Sequence, residues 1–295
     1  MFKKDLLILC AFLFSISSLF AQDDLLDELN ENTSDSSYEM PAFKAMKIGN
    51  LQSTKMADQG DFYLIVSHRF GPLKDGFDTF LGLDEASTKI QLLYSFWEGV
   101  QFSISRESYN RTLAASAKIR LARQSKDFPV NLVTYATVNR NTLIDETIFP
   151  DLKSSDRQSY ATQLLVSRRF SDKFSFQLAP TYIRENLQNL NVVPEEKFNQ
   201  FALGFGGRYK LSKRISFNAE YVYNTSRAKN SPFDNSYAFG LDIETGGHVF
   251  QLLFTNSQSS NEPGFMSSAE GDMVFGFNVV RVFKLFFEFI ILDSD

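Results

Sequence analysis

Cysteine is almost missing from this chain: Cys10 is the only one in 295 residues. It sits in an N-terminal apolar run that reads as an export signal. The mature chain is therefore expected to hold no disulfide and no thiolate metal site. Histidine is nearly as scarce. His68 and His248 have no carboxylate or second histidine at ligand spacing, so no metal centre is expected. Long apolar runs are lacking beyond the N-terminus. The nearest, "LFFEFIIL" at 285–292, is short and contains Glu288, which excludes a bundle of membrane helices. There is no basic excess either. The formal charge is -5, which argues against a nucleic-acid partner. "GFGG" at 204–207 is followed by neither Lys-Ser/Thr nor a helix pattern, so it is no phosphate loop. On a strand, such small residues mark a bend or room for an internal plug. No cofactor is implied.

What is present is phenylalanine, 31 residues of it, within an aromatic share of 15%. Mean hydropathy is nevertheless only -0.19. Alternating strands with one wet face combine these two properties. Lys3 and Lys4 precede "LLILCAFLFSISSLFA", which predicts an export signal over residues 1–21 with cleavage before Gln22. Residues 22–60 begin as an acidic, Ser/Asn-rich tail. Their second part, with "FKAMKIGNLQST", reads as an extra strand or a segment tucked into a barrel. From Asp61 to the end, period-two segments recur near 61–70, 88–97, 99–107, 111–122, 129–139, 158–170, 173–183, 198–211, 213–225, 236–245, 247–256 and 272–283. Tight turns such as "WEG", "SDK", "LSK" and "TGG" alternate with long polar connections. Two links depart from that rhythm: the one near Glu107–Asn110 is short, and "RQSKDF" at 123–128 is long. The pattern predicts an all-β, up-and-down antiparallel transmembrane β-barrel of about 12 strands (12–14) over residues 61–295, with long loops facing outward.

"RISFNAEYVYN" at 214–224 shows how the faces divide. Ile215, Phe217, Ala219, Tyr221 and Tyr223 alternate with Ser216, Asn218, Glu220, Val222 and Asn224. The first set suits acyl chains and the second an enclosed interior. The same alternation places Lys89, Lys118, Arg120, Arg208, Lys210, Glu220, Asp242 and Glu244 inside the barrel, as lumen candidates. There they either line a water path or pair with one another and fill the space. His68, Arg69 and Asp84 are read as loop candidates. His68 and Arg69 precede, and Asp84 lies within, "GPLKDGFDTFLGLDEAS" (71–87), a segment suited to a constriction or lid.

"SHRFGPL" (67–73), "GLDEAS" (82–87), "KIRLARQS" (118–125) and "GFNVVRVF" (276–283), in that order, resemble an uncharacterised bacterial family of predicted outer-membrane β-barrels, a domain of unknown function. The resemblance covers about residues 42–283 and implies the fold and no reaction. Location in the bacterial outer membrane follows, with outer-membrane lipid and the barrel-assembly machinery as partners. The leading expectation is a narrow channel or binding barrel for a small solute. The alternative is a structural or surface-interaction barrel without transport. A lipid hydrolase ranks third, because Ser67 and His68 point to opposite faces and His68 would need a serine from another strand. The chain is accordingly not read as an enzyme.

Overall fold

Period two governs the backbone of the computed structural model, which describes residues 41–144, 152–187, 199–245 and 248–284. The expected export signal, the acidic part of the tail and the end of the chain after Lys284 lie outside these residues. Twelve strands form: β1 (Asp61–Pro72), β2 (Ala86–Trp97), β3 (Val100–Glu107), β4 (Leu113–Ala122), β5 (Asn131–Arg140), β6 (Gln158–Arg169), β7 (Phe174–Glu185), β8 (Asn199–Lys210), β9 (Ile215–Asn224), β10 (Ser236–Thr245), β11 (His248–Thr255) and β12 (Val274–Lys284). Each pairs antiparallel with its neighbour in sequence, and β1 pairs with β12 from Asp61↔Lys284 upward. Closure leaves no unpaired edge, which is what allows a sheet to cross a bilayer. This is the closed up-and-down barrel of twelve strands that the alternation predicts.

The connections at 98–99, 170–173 and 211–214 stand on one rim, and those at 73–85, 225–235 and 256–273 on the other. The barrel thus has a short-turn rim and a long-loop rim. The link after Glu107 is short because Glu107 N–H reaches Thr112 O at 2.8 Å around one turn of 3-10 helix.

In β9 the expected faces separate. Phe217, Tyr221 and Tyr223 are exposed on the outer wall, while Ser216, Asn218, Glu220 and Asn224 are buried inside. The outer wall is apolar around the barrel, with Ile104, Leu121, Phe201, Leu252 and Phe254 among its exposed residues. In water, such a belt would be an aggregation surface; in acyl chains it costs nothing.

A barrel of twelve strands is wider than its own inward side chains can fill. Two stretches of irregular chain occupy the difference. Residues 41–58 enter from the short-turn rim, where Gly60 N–H bonds Ser95 O at 2.9 Å. They form a hairpin closed by the Lys47↔Gln52 bridge and by Ser53 N–H to Met46 O at 3.0 Å. From the opposite rim, the β11–β12 connection folds inward as residues 256–273. It carries a short helix, α1 (Glu262–Ser267), whose Phe265 and Met266 are fully buried.

Three apolar clusters hold these pieces. Leu51 packs with Phe265, Met266, Ile183 and Val222. Met46 and Ala57 pack with Tyr63, Ile65, Leu93 and Val280. Met56 packs with Val133, Tyr135 and Leu165. The inner wall is therefore not uniformly polar. It turns apolar where the hairpin leans on it, since a buried apolar contact removes surface from water on both partners.

Candidate functional site

The site is the occupied lumen. A hairpin inside a barrel has main-chain groups that no strand satisfies, and a buried N–H or C=O without a partner is costly. The wall supplies those partners from its inward positions. Glu220 of β9 accepts from the N–H groups of Gly49, Asn50 and Leu51 at 2.9, 2.8 and 3.0 Å, so one carboxylate holds the tip of the hairpin. Lys118 Nζ donates to Ser53 O at 3.0 Å and to Lys55 O at 3.4 Å. Gln177 Nε2 donates to Gln52 O at 2.7 Å. Gln251 Nε2 donates to Lys47 O, Ile48 O and Asp242 Oδ1. Asn278 Nδ2 donates to Gly49 O at 2.9 Å.

The inward loop is held in the same way. Glu107 accepts from Ser259 Oγ, Ser260 N, Ser260 Oγ and Asn261 Nδ2 at 3.0, 2.6, 2.8 and 2.5 Å. The two insertions also meet each other. Lys47 Nζ donates to Ser260 O at 3.0 Å, and Gln52 Nε2 to Glu262 Oε1 at 2.7 Å. The fissure between Ile48, Gly49 and the β9–β11 wall has no room for a water molecule.

The lumen candidates divide into two groups. Lys89, Lys118, Arg208, Glu220 and Asp242 are buried on the inner wall. Lys118 and Glu220 bind the hairpin, and Asp242 orients Gln251. Lys89 lies 3.5 Å from Ser260 O. Arg208 pairs with Glu244 at 2.7 Å near the short-turn rim. Arg120 pairs with the exposed Glu98 at 2.6 Å on that rim, and Lys210 is half-buried at the same end of β8. Arg208, Glu244, Arg120 and Lys210 thus lie toward the short-turn rim, away from the hairpin tip.

Two of the three loop candidates lie near the loop end of a strand. His68 and Arg69 lie in β1, which runs on to Pro72. His68 faces outward, stacks on Phe277 at 5.0 Å and shares a 2.8 Å hydrogen bond with Thr88 Oγ1. Arg69 faces inward and is fully buried; it donates to Asn50 Oδ1 at 2.8 Å and to Asn278 Oδ1 at 3.0 Å. Asp84 is exposed in the connection between β1 and β2.

Sequence reasoning passed over Glu107, Lys47 and Glu262. Glu107 was within reach, since it continues the inward series Gln101, Ser103, Ser105 of β3. Lys47 and Glu262 lie in aperiodic segments that carry no such signal.

Lys47 is held at about 7, far below an ordinary lysine, by burial first and then by Lys89. Arg69 acts in the same direction, and Glu262 and Glu107 oppose it. Burial pushes Glu262 upward, but Lys89 and Lys47 outweigh it and hold the carboxyl below its usual value. A withdrawn hairpin would return Lys47 to the ordinary lysine range. Between pH 7 and about 10 the seated lysine is then neutral while the withdrawn one is charged, so seating strengthens as pH rises. Below pH 7 both forms are protonated and the dependence vanishes. A spin label at Lys44→Cys, in a Cys10→Ser background, is expected to show its immobilised fraction growing from pH 7 to 9, by up to about tenfold per unit in the equilibrium. Lys47→Met should reduce the slope. A parent profile already flat would contradict this account of Lys47.

A family model described as "Membrane bound beta barrel domain (DUF5777)" matches residues 43–283, from inside the hairpin to the end of β12. Among solved structures, the chain is similar to the NanC porin at 10% identity. That match covers 76% of this chain and 100% of that one, with a TM-score of 0.47. It is similar to the KdgM porin at 9% identity, covering 77% and 99%, with a TM-score of 0.44. It is also similar to the Acinetobacter baumannii outer membrane protein Omp33 at 10% identity, covering 77% and 100%, with a TM-score of 0.43. No curated protein sequence matches.

Proposed function

Because the chain belongs to the DUF5777 family of membrane-bound beta barrel domains, we propose that it is a bacterial outer-membrane barrel serving a small polar solute through a lumen that its own hairpin keeps shut. The short turns face the periplasm and the long loops the exterior in this reading. The observation that carries it is the manner of closure. Both ends of the hairpin lie toward the short-turn rim, and its tip is held by polar side chains of the wall, chiefly Glu220, Lys118, Gln177 and Asn278. A hairpin inserted through one mouth can leave by that mouth without breaking the barrel. The wall it uncovers would bear charges and amides suited to a hydrated passage. No chemistry is assigned to the barrel: His68 faces outward among Phe70 and Phe277.

Planar-bilayer conductance tests the reading. The mature chain is expected to give rare, brief openings, and a variant lacking residues 42–57 sustained ones. A second pair of measurements avoids dependence on that deletion. Asn50→Cys with Thr255→Cys, whose parent side chains lie 2.9 Å apart, should be silent when oxidised and recover at least the parent's rare openings when reduced. The alternative is a structural or surface-interaction barrel without passage, favoured by the number of wall side chains committed to the inserted chain. Silence from the deletion variant and from both redox states would establish that alternative and end the passage reading.

A further inference from the structure

The outer wall is not the same all the way round at its long-loop rim. On one arc, Tyr223, Tyr237, Phe254, Phe275 and Phe70 stand at the strand ends. On the other, every second strand carries an outward arginine near its long-loop end: Arg106 on β3, Arg140 on β5 and Arg184 on β7. The register ties them together. Arg106 lies opposite Leu113 and Leu113 opposite Arg140, while Arg184 lies opposite Tyr160 of β6. Successive arginine-bearing strands are therefore about 10 Å apart across the wall.

Beside Arg184 the wall is hollow. The β6–β7 ladder skips from Gln163↔Thr181 to Val166↔Leu178, because Pro180 between them has no N–H to give. Pro180, Thr162, Tyr182, Phe201 and Leu203 line a crevice of about 350 Å³ in the lipid-facing surface. At its upper end, Arg184 donates to Asn199 Oδ1 at 2.8 Å, and Tyr182 donates to the same oxygen. The arrangement is a row of guanidinium groups at headgroup height, with an apolar slot running from it toward the membrane interior.

We infer that this arc is a binding site for an anionic lipid bearing phosphate monoesters, in the leaflet at the long-loop rim, with its phosphates on Arg106, Arg140 and Arg184 and an acyl chain in the crevice at Pro180. Guanidinium is the side chain that matches phosphate oxygens with paired donors, and a flanking slot distinguishes a lipid from a free anion. The site uses the chain's place in a membrane and not the passage reading, so silence in bilayers leaves it standing.

Native mass spectrometry of the mature chain in detergent, titrated with diphosphoryl lipid A, dioleoyl phosphatidylcholine or inorganic phosphate, tests it. Lipid A is expected to be retained and phosphatidylcholine not. Neutralisation should cost roughly fivefold in affinity per guanidinium, and so about a hundredfold for Arg106→Gln, Arg140→Gln and Arg184→Gln together. Arg184 also holds Asn186 and Asn199, so the double variant at Arg106 and Arg140 serves where the triple one fails to fold. Arg281→Gln, on the outer face at the opposite rim, should bind as the parent does. Thr162→Trp, which fills the crevice, should weaken lipid A with the arginines intact. Equal retention of phosphatidylcholine, or parental binding by the arginine variants, overturns the site. Displacement of lipid A by millimolar inorganic phosphate, with no effect of Thr162→Trp, would reduce it to an anion patch and overturn the lipid assignment.

Discussion

Glu220→Ala is expected to unseat the inner hairpin while leaving the barrel closed. Three N–H groups converge on this carboxylate within 3.0 Å, and the residue is buried. Truncation leaves those donors without an acceptor in a place where water enters poorly. An unsatisfied buried donor costs about 1–3 kcal/mol, so the loss is at least about 3 kcal/mol, or more than a hundredfold in the seating equilibrium. The strands keep their ladders, so the variant should still show the heat-dependent gel mobility of a closed barrel. Seating can be read from maleimide labelling of Ala45→Cys in a Cys10→Ser background, because Ala45 is buried when the hairpin is in place. Labelling should be slow in the parent and about two orders of magnitude faster in the variant. Glu220→Gln, which keeps one acceptor oxygen but turns donors toward donors, should fall between. An unchanged labelling rate would mean that the apolar contacts of Leu51, Met46 and Met56 seat the hairpin without help from Glu220.

The companion effect belongs to the opposite rim. Glu107→Ala removes the acceptor for four donors of residues 259–261 and so frees the stretch that carries α1. Serine hydroxyls can turn to other partners, but the Ser260 N–H and the Asn261 amide cannot do so easily. The expected cost is about 2–4 kcal/mol. Hydrogen exchange reports it directly. The Phe265 and Ser268 amides, bonded to Asn261 O and Gly264 O, should exchange at least tenfold faster in the variant. The hairpin should loosen to a smaller degree, because Lys47 reaches Ser260 O and Gln52 reaches Glu262. Exchange at α1 that stays at the parent rate would show that Phe265 and Met266 anchor the loop on their own.

Alternation of side chains is a local property, and everything that depends on it could be read along the chain. The division of β9 into Phe217 and Tyr221 outside and Ser216 and Glu220 inside needs only the pleat of a strand. The same parity puts Arg69 inside with Tyr63, Ile65 and Ser67. Arg69 lies near the end of the 61–70 segment, and β1 runs past it to Pro72. Gly204 and Gly206 gave a partial hint of what the barrel contains. A side chain added at Gly206 would collide with Ile48, and one at Gly204 would press on Leu51. The glycines record that something approaches the wall, though not what approaches.

What filled the lumen could not be read from a period, because an inserted segment has none. Residues 41–58 and 256–273 follow the shape of a cavity formed by strands far from them in sequence, and Glu220 finds Asn50 across 170 positions. By itself, then, the sequence determined the strands, their faces and their order, since each rests on neighbours along the chain. Only the tertiary structure decided that the interior charges hold a hairpin and not a column of water. That outcome rests on contacts between residues far apart along the chain, such as Glu220 with Asn50, which exist only once the barrel has brought them together.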